Sequence, residues 1–353
     1  MKVEIIAEIG VNHDGSFEKA IKLIRAAKKT GADTVKFQTF FAEDFVKKDT
    51  KKVLYQSKTT SKRESHFEMI KKLELSEYDF YRIINFCKKI KINFLSTPYD
   101  LKSLEILKKF KVSRYKTAST DLVDFMLHKE IIKTKKPVII STGASELIEI
   151  EKTVKFYERL KHKKITLLHC VSNYPCSLES INLNVIKTLH DKFGYPVGYS
   201  DHSNSNYPAM ISLAMGAKVI EKHFTLNKKS SGPDHKASSD PKDFTKYVNQ
   251  IRLTEKILGS YSKKLQKEEK SIRTISRKSL TLKNKIERGQ LIKEKNLIMK
   301  RPGTGLLGNR IKDIVGKRAR RLLSKDYQIK MKDLYKWYLF LPDNITVWLL
   351  MKL

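Results

Sequence analysis

Eight short β-branched runs in this chain end in polar side chains that can do chemistry. In order they bring Glu8 with Asn12 and His13, Lys36 with Gln38, Ser96-Thr97, Lys116 with Ser119, Ser141-Thr142-Gly143, His169, Ser200-Asp201-His202, and Glu221 with His223. Charged groups set in apolar runs are expensive to bury one by one, so their recurrence at run ends points to one convergent polar site. The ammonium groups of Lys36 and Lys116 suit a phosphate or carboxylate held as a point charge, although a lysine snorkelling to the surface fits the same spacing. Glu8 follows Ile5-Ile6-Ala7. It suits either a substrate role or a structural ion pair with one of these lysines.

His202 and His223 end the seventh and eighth runs, which are neighbours roughly 5 Å apart if the sheet closes in order. Two imidazoles at that spacing fit a shared divalent ion, and they fit a hydrogen-bonded core pair equally well. With two nitrogen ligands only, the other positions fall to water or substrate oxygen. That suits exchangeable Mn or Mg better than structural Zn. Gly232-Pro233-Asp234-His235 reads as a turn, in which Asp234 is either a turn former or a site carboxylate. Cys170 follows His169, but adjacent strand residues point to opposite faces, which argues against a Cys–His nucleophile pair.

The elements that must position these groups alternate strand with helix. The runs are Val3–Glu8, Thr34–Thr39, Asn93–Thr97, Arg114–Ala118, Pro137–Thr142, Ile165–Cys170, Pro196–Asp201 and Lys218–Phe224. Helical periodicity predicts segments at Ser16–Thr30, Ser76–Ile90, Asp100–Phe110, Ser145–Leu160, Asn182–Lys192 and Pro241–Gly259. Eight βα repeats predict a closed parallel (β/α)8 TIM barrel. An open dinucleotide-binding sheet would need G-x-G-x-x-G after its first strand, and the chain has none there. The pattern then breaks. We expect a barrel domain over residues 1–262, a charged linker over 263–273, a small mostly β domain over 274–334, and an apolar tail over 335–353 that holds both tryptophans, Trp337 and Trp348.

Of 353 residues, 72 are Lys or Arg and 38 are Asp or Glu, a formal charge of +34, with 40% hydrophobic residues. The apolar fraction excludes a disordered chain. The lysines are spread in pairs along helical segments, as on a solvated surface, and no aromatic platform or helix-turn-helix pattern accompanies them, so nucleic-acid binding is the weakest class. No signal peptide and no membrane span are expected, because the start carries no charged leader and Pro342-Asp343-Asn344 interrupts the tail. Three cysteines, Cys87, Cys170 and Cys176, are too few for a disulfide scaffold and suggest a reducing, cytoplasmic setting.

With these residues in place, the chain resembles the sialic acid synthase family, which makes nonulosonic acids from phosphoenolpyruvate. The resemblance runs through Ala7-Glu8-Ile9-Gly10-Val11-Asn12-His13-Asp14-Gly15, Val35-Lys36-Phe37-Gln38-Thr39, Ser96-Thr97-Pro98, Ser141-Thr142-Gly143 and Leu168-His169-Cys170. It continues through Tyr199-Ser200-Asp201-His202-Ser203, Ile220-Glu221-Lys222-His223-Phe224-Thr225, Gly232-Pro233-Asp234-His235 and Lys300-Arg301-Pro302-Gly303. It implies a TIM barrel followed by a β-clip, antifreeze-like (SAF) domain. It also implies a homodimer in which the SAF domain of one chain reaches over the other chain's barrel and delivers Arg301.

The activity so implied is condensation of phosphoenolpyruvate with N-acetylmannosamine or a related N-acyl amino-hexose, releasing phosphate. Lys36, Thr97, Lys116, Ser119 and Ser200 match phosphoenolpyruvate-binding positions. Gln38, Tyr174, Glu8, Glu221 and Asp234 match positions around sugar, metal and water, and His202 and His223 would hold the Mn or Mg. Asp121 stands where many relatives carry Glu, Ser172 stands where Asn is common, and Val46–Glu68 offers no clear equivalent of a substrate-contacting Asn. The Gly232–Ser238 loop looks closer to the sialate and legionaminate branch than to the pseudaminate one. The competing reading is a phosphoenolpyruvate-dependent synthase acting on a phosphorylated sugar.

Overall fold

The computed structural model describes residues 2–335 apart from 54, 55, 57, 58 and 62. The apolar tail beyond Tyr335, with Trp337 and Trp348, lies outside the described residues. The chain divides into two compact units, Met1–Gly259 and Ser260–Leu353.

In the first unit, eight parallel strands are hydrogen-bonded in the order β3-β2-β1-β8-β7-β6-β5-β4. They are β1 (Glu4–Gly10), β2 (Thr34–Thr39), β3 (Asn93–Pro98), β4 (Tyr115–Thr117), β5 (Val138–Ser141), β6 (Ile165–His169), β7 (Val197–Asp201) and β8 (Val219–His223). β3 and β4, at the two ends of that order, pack side by side and bring the sheet round into a barrel. Its interior is plugged by Ile6, Leu95, Ile139, Leu168 and Val219, all buried. This apolar layer is the floor on which a polar site at the strand ends rests.

The helices follow local signals. Helix Phe17–Lys29 starts where the Ser16 hydroxyl accepts from the Lys19 amide, buries Ala20, Leu23, Ile24 and Ala27, and ends on Lys28 and Lys29, which complement its dipole. Helix Glu77–Lys89 opens with a capping box between Ser76 and Asp79. Helices Phe125–Lys133 and Tyr207–Ala214 complete the outer layer without having been predicted. The second is apolar almost throughout, so it lacks the contrast between faces that marks a helix in sequence. Two short helices, Ala42–Phe45 and His66–Lys71, fall in the long β2–β3 connection.

In the second unit, helix Glu269–Ser276 occupies part of the segment expected as a linker. Strands β9 (Ser279–Leu282) and β10 (Leu297–Lys300) pair antiparallel, and isolated bridges such as Ile286 with Leu323 and Ala319 with Leu334 tie the remaining loops. Leu280, Leu282, Ile286, Ile292, Ile314 and Leu323 form its core. No described helix is long and apolar enough to cross a membrane.

Candidate active site

Strand register assembles the site. Glu8 pairs with Lys36 on one side and with His223 on the other, Ser200 pairs with Glu221, and Gln38 with Thr97. In a parallel sheet, register partners project to the same face. The inward-facing members therefore meet above the apolar floor in a cavity of about 460 Å³. Its walls include Glu8, Lys36, Gln38, Lys116, Ser119, Asp121, Ser172, Tyr174, Ser200, His202, Glu221, His223 and Asp234.

Two buried cations face two buried carboxylates. Lys36 Nζ lies 3.4 Å from Glu8 Oε1 and 3.2 Å from Glu221 Oε1. Gln38 Nε2 donates to Glu8 Oε1 at 3.1 Å, and Ser200 Oγ donates to Glu221 Oε1 at 3.0 Å. Lys116 is only 1% exposed; its ammonium donates to Thr117 O at 2.9 Å and to Ser141 Oγ. The second oxygens, Glu8 Oε2 and Glu221 Oε2, are buried without hydrogen-bond partners among the described residues, as is Asp121 Oδ2. Such orphaned acceptors in a cavity are poised for a ligand's hydroxyls or protons.

Burial and neighbours split the ionisations. Burial lifts the Glu8 carboxyl to about 7, whereas for Glu221 burial is outweighed by Lys36 and Lys116 and the group falls to about 2. Burial depresses Lys36 too, but Glu221 and Glu8 more than offset it and hold its pKa above the usual lysine value. Lys116 is brought down to about 8 by burial. Burial also raises Asp121 to about 7 and Asp234 to about 6. Carboxyls pushed apart in this way can divide acid and base roles at one pH.

His202 and His223 lie with ring centroids 5.6 Å apart, and the Tyr174 ring packs on His202 at 4.1 Å and edge-on to His223 at 5.4 Å. His202 Nδ1 donates to Val171 O at 2.7 Å. A carbonyl only accepts, so Nε2 carries the lone pair, and it faces Ser200 Oγ at 3.3 Å. Burial brings His202 to about 4, and burial plus its neighbour hold His223 well below the usual imidazole range. His202 is thus a neutral imidazole with one ring nitrogen anchored to backbone, the form in which histidine ligates a cation, and His223 Nδ1 lies 3.9 Å from Asp234 Oδ2. Among the described residues no cluster of three His, Cys, Asp or Glu side chains forms a metal cage. The pair fits an exchangeable ion whose other ligands are water or substrate.

Ser119 and Ser172 line the same cavity as the two lysines. Ser119 Oγ accepts from the Gly143 amide at 3.0 Å and lies 3.2 Å from Cys170 Sγ. A Cβ on Gly143 would press into Ser172 Oγ and come within 2.9 Å of both Ser119 Oγ and Cys170 Sγ. Glycine at this position leaves room for two hydroxyls to face a ligand.

Some polar run ends do not join the site. His169 Nε2 is hydrogen-bonded to Ile181 O at 2.6 Å, Thr142 Oγ1 donates to Leu168 O at 3.0 Å, and Ser96 Oγ donates to Phe37 O at 3.1 Å. Thr97, the register partner of Gln38, is buried, its hydroxyl has no hydrogen-bond partner among the described residues, and it is not one of the residues lining the cavity. Arg301 belongs to the second unit and is exposed. Conversely, Ser141, Cys170, Val11, Phe45, Ile70 and Tyr99 line the cavity without having been assigned a role, as does His66 from the segment in which an Asn was sought. Strand parity marks Ser141 and Cys170. Of the apolar wall, Phe45 and Ile70 stand on the two short helices of the β2–β3 connection, and Val11 and Tyr99 directly follow β1 and β3, so no periodic signal marks it.

Comparison with known proteins agrees with this geometry. A family model described as the NeuB family matches residues 23–263, and one described as the SAF domain matches residues 277–334. The chain is 41% identical to N,N'-diacetyllegionaminic acid synthase of Campylobacter jejuni, over 93% of this chain and 99% of that protein. It is 42% identical to the protein of the same description from Legionella pneumophila, over 91% of each. The crystal structure of N-acetylneuraminic acid (sialic acid) synthetase from Leptospira borgpetersenii superposes with a TM-score of 0.68 at 31% identity, covering 77% of this chain and 90% of that one. An eight-stranded barrel with a lysine–carboxylate cavity, followed by a SAF domain, thus carries the sequence of an enzyme that belongs to the NeuB family.

Proposed function

We propose that this protein condenses phosphoenolpyruvate with an open-chain N-acyl amino-hexose, giving a nonulosonic acid and phosphate. The acceptor is N-acetylmannosamine or, in line with the two relatives described as N,N'-diacetyllegionaminic acid synthases, its 2,4-diacetamido counterpart. The observation that carries the reading is the meeting of Lys36, Lys116, Glu8 and Glu221 with a neutral imidazole pair on one barrel rim.

Lys36 and Lys116 hold the anionic groups of phosphoenolpyruvate as point charges, Ser119 and Ser172 supply hydroxyl donors beside them, and Ser200, whose hydroxyl proton goes to Glu221, borders the same substrate. His202 and His223 would hold Mn²⁺ or Mg²⁺, which when bound polarises and orients the sugar aldehyde. The enol carbon of phosphoenolpyruvate then forms the new C–C bond to that aldehyde carbon. The aldehyde oxygen takes up a proton, water adds at the cationic second carbon and releases a proton, and phosphate leaves by C–O cleavage. Glu8 and Asp121, each raised to about 7, are suited to give or take those protons, while ionised Glu221 balances the cations and the developing positive charge. Gln38, Tyr174 and Asp234 border the sugar side. Arg301 closes the site from the SAF domain of a dimer partner. The three cysteines, free and buried, accord with a reducing, cytoplasmic setting.

The test is phosphate release from phosphoenolpyruvate with Mn²⁺ and a panel of N-acetylmannosamine, its 6-phosphate and the 2,4-diacetamido sugar. Release with an unphosphorylated N-acyl sugar is expected. Release with the 6-phosphate alone moves the enzyme to the phosphorylated-sugar reading, and no release with any hexosamine from folded protein refutes the proposal.

A further inference from the structure

The outward faces of β7 and β8 carry a buried ion pair behind the site. Asp201 and Lys222 are register partners on these neighbouring strands. Lys222 Nζ lies 2.9 Å from Asp201 Oδ2, and both side chains are buried. The remaining hydrogen-bonding capacity is largely filled. Asp201 Oδ1 accepts from the Ser203 amide at 2.9 Å and from its hydroxyl at 2.7 Å, and Oδ2 accepts from Tyr247 OH at 3.0 Å. Lys222 Nζ also donates to Ser203 O at 2.8 Å.

The chain neighbours of this pair are all site residues. Ser200 and His202 flank Asp201, and Glu221 and His223 flank Lys222. Alternation sends the flanking side chains inward and the pair outward. A well-packed apolar pair would stabilise two strands at least as well as a buried ion pair. What the charges add is direction, because the ammonium, the carboxylate and their five further hydrogen bonds, the fifth from Tyr199 OH to Asp201 Oδ1 at 3.4 Å, satisfy one another in only one register. A slip at either strand end would separate the two imidazoles or turn one out of the cavity.

We propose that Asp201 and Lys222 are positioning residues whose ion pair fixes the ends of β7 and β8 so that His202 and His223 face one divalent cation. The inference rests on the metal role proposed above for the two histidines. It is tested by calorimetric titration of the full-length protein with MnCl2, without either substrate, alongside thermal unfolding. Lys222→Met is expected to weaken Mn²⁺ binding about tenfold, the scale on which residues that orient metal ligands act. Tyr247→Phe, which removes one hydroxyl and leaves the fold, should weaken it about threefold, so the test survives if Lys222→Met does not fold.

The double variant Asp201→Asn/Lys222→Met removes the stranded buried charge. It should regain thermal stability over Lys222→Met while Mn²⁺ affinity stays low. Wild-type affinity in folded Lys222→Met, or in Tyr247→Phe if the former does not fold, overturns the inference, as does recovery of affinity together with stability in the double variant. Wild-type protein that binds no Mn²⁺ overturns both this inference and the metal reading beneath it; unchanged variants beside a binding wild type overturn the inference alone.

Discussion

Gly143→Ala tests the role proposed for Ser119 and Ser172 with one methyl group. The obstacles to that methyl are the side-chain atoms of Ser172, Ser119 and Cys170, not backbone. Serine hydroxyls escape by rotating about χ1, so the barrel has a cheap way to accommodate alanine, with an overpacking cost at the low end of about 1–3 kcal/mol. The site has no such escape, because the rotations carry both hydroxyls away from the ligand. Each hydrogen bond from a neutral donor to a charged group contributes about 1.5 kcal/mol or more. Losing two costs about 3 kcal/mol, which converts to a rise in KM for phosphoenolpyruvate of roughly 150-fold.

The assay is initial-rate phosphate release over a range of phosphoenolpyruvate concentrations at saturating sugar, with thermal unfolding of the same preparation. KM should rise steeply while the melting temperature falls by a few degrees. Adding Ser172→Ala removes the worst overlap and should recover stability without recovering KM. A Gly143→Ala enzyme with wild-type KM for phosphoenolpyruvate would show that the hydroxyls do not face the ligand.

Further outcomes follow from the same geometry. His202→Ala and His223→Ala should each abolish stimulation by Mn²⁺, and full metal-dependent activity in either would remove it from the ligand set. Lys116 loses its proton above about 8 in the free enzyme, so kcat/KM for phosphoenolpyruvate should fall as pH rises past that value, because a depressed lysine is cationic only below it; a profile flat from pH 7 to 10 contradicts the assignment. Lys36→Met leaves Glu8 and Glu221 without the cation between them and should cost about 3–5 kcal/mol of stability. Pairing it with Glu221→Gln should return part of that in denaturant unfolding, and strict additivity of the two changes would argue against the contact.

How far the site could be read from sequence turns on strand parity. The barrel was legible because eight β-branched runs were separated by amphipathic segments, and the positions of Lys36 and Glu8 followed because each interrupts an apolar run. Parity was harder to fix, since both faces of a parallel barrel strand are buried and nothing in the run marks which face is the lumen. The apolar floor marks it. Ile139 and Leu168 belong to the apolar floor, so Ser141 and Cys170, two residues on, must face the cavity, while Thr142 and His169 turn outward to carbonyl partners. Reading His169 as a site residue thus chose the wrong parity in a strand whose period was right. The same alternation places Asp201 and Lys222 outside, where charge-bearing motifs look catalytic in sequence and are fasteners in space. The wall from Phe45 to Ile70 has a different cause. It is built by a connection containing two helices of only four and six residues, and in such a segment tertiary packing, not periodicity, decides which side chains reach the substrate.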